Sequence, residues 1–256
     1  MSELIPGKVL ITGAAQRIGR AIALDLGKRG WTVVVHYNRS TAAAEAVAGE
    51  IAAAGGKAIA LPADLDDASQ VEELVPLANR QIGPLTCLIN NAAIFEMDTI
   101  DSTTVRSWDR HMDVNLRAPF LLAQAFARQL PDREPGNIIN LIDMRVWKPT
   151  PYFTSYTISK MGLWGLTQTL AMALAPRIRV NGIGPGPSLQ SSRQTAEQFA
   201  RQVAATPLQR GASPEEICDG VRFILGAGAM TGQMIALDGG QHLPWPVGRH
   251  QRLVEE

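Results

Sequence analysis

The sequence has no surplus of charge of either sign: 24 Lys and Arg balance 24 Asp and Glu across 256 residues. No global positive field is therefore available to hold a polyanion, which argues against nucleic acid as a partner. Cysteine is scarce. The two present, Cys87 and Cys218, stand far apart without CxxC spacing, so no disulfide framework is expected and a reducing compartment suits the chain. Long apolar runs are missing too, since nothing approaches the roughly 18 residues that cross a bilayer. The residues before Lys8 are too few and too polar for a secretory leader. These absences predict a soluble, cytoplasmic protein with no membrane partner. The histidines His36, His111, His242 and His250 are scattered without ligand spacing, so no metal site is predicted. No GxSxG stretch frames a nucleophilic serine, which sets hydrolase chemistry aside.

What is present is an alternation. Short β-branched runs alternate with Ala/Leu-rich amphipathic stretches along the chain, the pattern of βαβ units building a parallel sheet covered on both faces. Seven strands are predicted, over 8–12, 32–37, 57–62, 86–91, 137–142, 177–184 and 233–239. Helices are predicted over 17–29, 41–54, 68–82, 104–130 (broken near Asn115 and Pro119), 154–175 and 214–225, the last behind Ser213 as N-cap. A chain of this length can hold one large α/β domain or two smaller ones. No repeat or interdomain linker divides it, so one domain spanning 1–256 is expected. The Pro/Gly-rich run GPGPSLQSSR and the helical stretch after it, together 184–206, read as a loop and helix covering a ligand at a strand's carboxyl end. The tail 241–256 is irregular and is assigned a subunit contact.

A strand ending at Thr12, the turn TGAAQRIG and a helix beginning near Arg17 form a setting in which backbone N–H groups receive a pyrophosphate. Gly13 permits the tight turn, Gly19 lets the helix approach the sheet, and Arg17 and Ile18 lie between them at the phosphate. The second strand ends in HYNRS, with no acid to accept from the adenosine ribose of NAD. Asn38, Arg39 and Ser40 offer donors there instead, and Arg17 brings a second guanidinium suited to a 2′-phosphate, so NADPH is the predicted cofactor. Arg39 read alone is only a solvated loop charge. Asp64, after the third strand, either accepts from the adenine amine or N-caps the next helix.

With TGAAQRIG come, in order, NNAA at 90–93, Asn115 in DVNLRAP, YTISK at 156–160, RVNGIGPG at 179–186 and LDGG at 237–240. The ordered set resembles the short-chain dehydrogenase/reductase superfamily over nearly the whole chain, which implies a single-domain Rossmann fold. Three departures resemble its pteridine reductase and dihydromonapterin reductase branch: Arg17 in place of the middle glycine, HYNRS after the second strand, and Asp143 where a serine normally stands 13 positions before the tyrosine. The resemblance assigns Tyr156, Lys160, Asn115 and Asp143 to catalysis, with Lys160 also on the nicotinamide ribose and Asn115 bending its helix and helping to hold a proton-relay water. It places Asn91, Pro185 and Gly186 at the cofactor. Phe95, Arg17, Asp143 and Tyr156 would contact a pterin, with Phe95 sandwiching it against the nicotinamide. Ala93, where some pteridine reductases carry a pterin-binding serine, departs from that branch. The resemblance also implies a homotetramer, with the helices near 104–130 and 154–175 buried between subunits.

The chemistry of these residues points the same way. Tyr156 and Lys160 share a helix face one turn apart, so an ammonium is expected to lower the phenol's pKa toward working pH. An ionised Asp143 would repel the oxyanion that forms when a ketone is reduced. Beside a C=N bond it is no obstacle, because hydride reaches carbon and the nitrogen needs only a proton. The expectation is NADPH-dependent reduction of a pterin-type substrate, dihydropterin to tetrahydropterin, with biopterin and folates as further candidates. A ketone reductase, an Asp143 that merely caps a helix or pairs with Arg145 or Lys148, and a catalytically silent NADPH-binding regulator are the competing readings.

Overall fold

Strands β1 (Lys8–Ile11), β2 (Thr32–Tyr37) and β3 (Lys57–Pro62) show why one sheet forms. In β1, Val9 and Ile11 face one apolar layer and Leu10 the other; in β2, Val33 and Val35 oppose Val34 in the same way. Apolar side chains on both faces of a strand require cover on both sides. Helices α1 (Arg17–Lys28), α2 (Thr41–Ala53) and α8 (Pro214–Gly226) cover one face through Ile22, Leu26, Val47, Ile51, Val221 and Ile224. Helices α3 (Ala68–Ile82), α5 (Ala118–Gln129) and α6 (Thr154–Leu174) cover the other through Leu74, Leu122, Phe126 and Ala171. The computed structural model describes residues 5–191 and 193–243. The predicted tail contact at 241–256 therefore lies outside the described residues from 244 onward.

With β4 (Cys87–Asn90), β5 (Gly136–Leu141), β6 (Ile178–Pro185) and β7 (Met234–Leu237), the sheet is fully parallel in the order β3-β2-β1-β4-β5-β6-β7. All seven strands stand where the alternation put them, and the single-domain Rossmann architecture is the one the resemblance implied. The order reverses direction between β1 and β4, which opens a crevice at their carboxyl ends. Gly13, Asn91, Asp143 and Gly186 all follow strand ends on this side.

The predicted break in 104–130 takes another form. Helix α4 (Val105–Met112) runs into a π-helical turn, Asp113–Arg117, and continues as α5 with helical dihedrals at both junctions. The extra residue in that turn carries Asn115 inward, as π-turns often do at functional sites. Ser213 does cap α8, in a capping box with Glu216. Helix α7 (Ala196–Ala204), in the stretch expected to cover a ligand, buries none of its residues.

Candidate active site

The glycine turn is built to leave backbone donors free. Gln16 at the N-cap of α1 contributes no side-chain bond, and no acid stands in the first turn. The amide groups there lack intrahelical partners and face the crevice side of the sheet. Gly13 has φ +62, and a Cβ on it would meet Ala92 at 3.1 Å. A Cβ on Gly19 would run into the Gly13 carbonyl oxygen and come within 2.6 Å of the Asn91 amide. Asn91 pins the turn from β4, its Nδ2 donating to the Thr12 and Gly13 carbonyls at 2.8 and 3.2 Å. Ile18, half-buried, packs against the core layer of α1.

A residue to which the sequence reading gave no role completes this turn. The Gly13 amide donates to His36 Nδ1 at 3.0 Å, and His36 Nε2 lies 3.1 Å from the Ala63 carbonyl. The imidazole is therefore neutral, with its proton on Nε2. Burial lowers its pKa from 6.5 to about 4. His36 so ties the ends of β1, β2 and β3 together. Only the spacing of apolar runs, which places three strand ends side by side, could have signalled it.

At the end of β2, Arg39 is exposed and makes no ion pair among the described residues, and Ser40 lies 3.5 Å from Gln16 Nε2. Asn38 donates to Asp64 at 3.2 Å. Asp64 does not cap α3. That role belongs to Asp67, which accepts from the Ser69 and Gln70 amides, while Asp64 receives the Asp66 amide. Arg17 holds φ +55, a left-handed conformation costly for a side chain with a Cβ. Its guanidinium donates to the Leu189 and Gln190 carbonyls at 3.1 and 2.9 Å, so the turn reaches across to the loop after β6. Pro185 ends β6, and a Cβ on Gly186 would come within 2.6 Å of the Asp238 backbone. Arg193 secures the same loop from the far side, donating to the Phe95 carbonyl at 2.5 Å.

The proton-handling residues meet at the end of β5. Tyr156, on the first turn of α6, donates to Asp143 Oδ2 at 2.8 Å. The other Asp143 oxygen accepts the Arg145 amide at 2.8 Å, starting a 3-10 turn at Met144–Val146. The carboxylate therefore both caps that turn and holds the phenol. Burial raises the Asp143 pKa, opposed by the Arg145 amide and the Tyr156 hydroxyl. Burial also raises Tyr156 well above 10, with the Asp143 charge adding to the effect.

This overturns the expected action of Lys160. Its Nζ donates to the Leu141 carbonyl at 2.7 Å and stands 5.8 Å from the Tyr156 ring centre. Burial lowers its own pKa to about 8. The phenol answers to desolvation and to its carboxylate neighbour, and is held in its protonated form. Asn115 accepts the Ile94 amide at 2.9 Å and donates to the Ile94 carbonyl and Ser159 Oγ, both at 3.0 Å, which locks the strand-four loop to α6.

Phe95 is 38% exposed, but one of its faces is already taken. Phe153 stacks on it at 4.3 Å with the planes 6° apart, and the Tyr156 ring meets it edge-on at 4.6 Å. The expected sandwich of a pterin between Phe95 and the nicotinamide needs only one face of Phe95, and Phe153, to which the sequence assigned no role, backs the other. The Arg145 guanidinium lies 4.9 Å from the Phe153 ring centre and 5.8 Å from that of Phe95.

A glycine turn at the switch point and a tyrosine–lysine pair on one helix face define a nucleotide-dependent oxidoreductase. The family model described as short chain dehydrogenase matches residues 7–201, and the chain belongs to that family. Over 248 residues it is 39% identical to an uncharacterised oxidoreductase of Methylorubrum extorquens, covering 94% of this chain and 99% of that one. It is 33% identical over 246 residues to a 3-oxoacyl-[acyl-carrier-protein] reductase of Synechocystis, covering 94% and 98%. Among solved structures it resembles the FolM alternative dihydrofolate reductase 1 of Brucella canis complexed with NADP. That match has a TM-score of 0.92 at 47% identity, over 96% of this chain and 98% of that one. The corresponding protein of Brucella suis, also with NADP, matches at 0.91 and 48%, over 97% and 99%.

Proposed function

We propose that the protein is an NADPH-dependent reductase of pterin-type substrates, reducing a ring C=N bond of a dihydropterin or a folate. The observation that carries this reading is the 2.8 Å hydrogen bond from Tyr156 to Asp143. Desolvation keeps a proton on the phenol and favours one on the carboxyl, so the pair is an acid poised to deliver rather than a base. A nitrogen that gains a proton suits such a pair.

The cofactor site fits the reading. The uncapped start of α1, the space that a Cβ at Gly13 or Gly19 would fill, and Arg39 without an acid partner among the described residues suit a pyrophosphate and a 2′-phosphate. Arg17, Ile18, Asn38, Ser40 and Asp64 border the same site, with Asn91, Pro185 and Gly186 further along the crevice. When bound, the reduced nicotinamide supplies a hydride. Tyr156 supplies the proton to the ring nitrogen, Asp143 shares and replenishes it, and Lys160 holds the ribose side. Phe153 and Tyr156 pack around Phe95, and Arg17 and Arg193 tie the loop after β6 to the glycine turn and to the Phe95 backbone. The names of the Brucella relatives support a folate-type substrate. Exposed Val105, Phe120, Ile158 and Met172 on α4, α5 and α6 support a homotetramer packed through those helices. The absence of any helix apolar enough to cross a membrane, among the described residues, is compatible with a cytoplasmic site of action.

A carbonyl reductase is the second reading, favoured by relatives named 3-oxoacyl-[acyl-carrier-protein] reductase at 33 and 34% identity. NADPH consumption measured with dihydrobiopterin, dihydrofolate, simple ketones and an acetoacetyl thioester separates the two. Turnover of the pterin and folate is the expected result. Activity restricted to the carbonyl compounds overturns the first reading.

A further inference from the structure

A buried polar cluster lies beside the site and takes no part in the chemistry above. Asp98, His111 and Ser155 are 3%, 0% and 0% exposed. The order of contacts excludes a nucleophile. His111 Nε2 accepts the Glu96 amide at 3.3 Å, so its proton sits on Nδ1, which lies 2.8 Å from both the Ser107 carbonyl and Ser155 Oγ. Ser155 Oγ thus receives from histidine and gives its own proton to Asp98 Oδ2. Serine stands between acid and imidazole, the reverse of the arrangement that activates a hydroxyl.

The cluster serves the start of α6 instead. The N-cap of that helix is Phe153, at φ +61 and ψ +48, with no side-chain cap. A phenylalanine cannot satisfy the free amides of a first turn, and its left-handed conformation is itself unfavourable for a residue with a Cβ. Asp98 makes up for both. Its carbonyl accepts the Phe153 amide at 2.8 Å, and its carboxylate oxygens lie 3.2 and 3.4 Å from the Ser155 amide. No cation pairs with Asp98 among the described residues, so the positive end of the helix and these donors are what compensate its buried charge.

Tyr156 is the next residue along the helix, and its ring packs edge-on to His111 at 6.3 Å. Asp98 lies three residues beyond Phe95 on the same loop. We propose that Asp98, acting through Ser155 and His111, is a positioning residue that locks the loop carrying Phe95 to the helix turn carrying Tyr156. It thereby fixes the proton donor relative to the aromatic platform. This role rests on the reading of Tyr156 as proton donor, and the test keeps the two apart.

The full-length protein is compared with its Asp98→Ala, Asp98→Asn and Ser155→Ala variants. The readouts are kcat with the substrate that the native enzyme turns over, NADPH Kd by fluorescence, and amide hydrogen exchange along α6. Asp98→Ala is expected to lower kcat about tenfold or more while NADPH Kd stays within about twofold, since small misplacement of a reacting group is costly. Exchange at residues 155–157 should rise, with the second half of α6 unchanged. Asp98→Asn, which keeps an accepting oxygen, should recover most of the loss. If Asp98→Ala fails to fold, Ser155→Ala reads the same quantity by losing only the hydroxyl links: lowered kcat with unchanged Kd supports the role. Unchanged kcat in a folded Asp98→Ala or Ser155→Ala variant overturns it, as does unchanged exchange at 155–157. Full turnover by Tyr156→Phe would instead remove the proton-donor reading while leaving the exchange result standing.

Discussion

Tyr156 gives its phenolic hydrogen to Asp143, a carboxylate that desolvation already pushes toward its neutral form. The two share protons as a unit, so neither titrates independently of the other.

Replacing Asp143 by serine is expected to lower kcat on a dihydropterin by about 100-fold, within the span of general acid contributions, with little change in NADPH KM. Activity on a ketone panel should rise in the same variant. Steady-state kinetics on both substrate sets decide it. Improved pterin turnover would contradict the acid role.

Lys160 offers a pH signature. Its ammonium is carried below about 8 and lost above. The kcat/KM of the free enzyme should therefore be level near neutrality and decline as pH rises through that value. In Lys160→Met the alkaline decline should vanish, at a much reduced plateau, in a pH–rate profile.

His36 governs acid stability. Its pKa is about 4 in the fold against 6.5 ordinarily, so the unfolded chain binds more protons between those values. Stability is full above about 6.5 and falls as pH drops toward about 4, by roughly 3 kcal/mol from this residue. His36→Gln, whose amide can still accept from Gly13 and donate to Ala63, should flatten that part of the curve in chemical denaturation at stepped pH.

Cofactor choice tests the end of β2. Arg39→Ala should raise NADPH KM by roughly 10-fold or more, consistent with loss of one charge-assisted phosphate contact, and leave NADH KM nearly unaltered. Equal losses with both cofactors would place Arg39 away from the 2′-phosphate.

The sheet was readable because parallel strands buried on both faces are written as short apolar runs. The Tyr156 and Lys160 pair was readable because four residues span one helical turn. Asp143 came from resemblance, since no local rule links a residue after β5 to a phenol on α6. The contacts that were missed join distant segments: His36 to Gly13 and Ala63, Asp98 to Ser155, Phe153 to Phe95. Their partners lie 23 to 58 residues apart in sequence, beyond any periodicity. The direction of the tyrosine shift was missed for another reason. Spacing reports charge neighbours but says nothing of desolvation, and here desolvation dominates.

Arg17 spends its guanidinium on two carbonyls of the loop after β6. Any anion that recruits this side chain must first take it from Leu189 and Gln190, so nucleotide capture and release of that loop draw on a single pair of bonds. By thermodynamic reciprocity each event alters the other's equilibrium by the same factor. The arginine that stands in place of a glycine thus ties the glycine turn to the loop after β6, and whatever draws it away frees that loop.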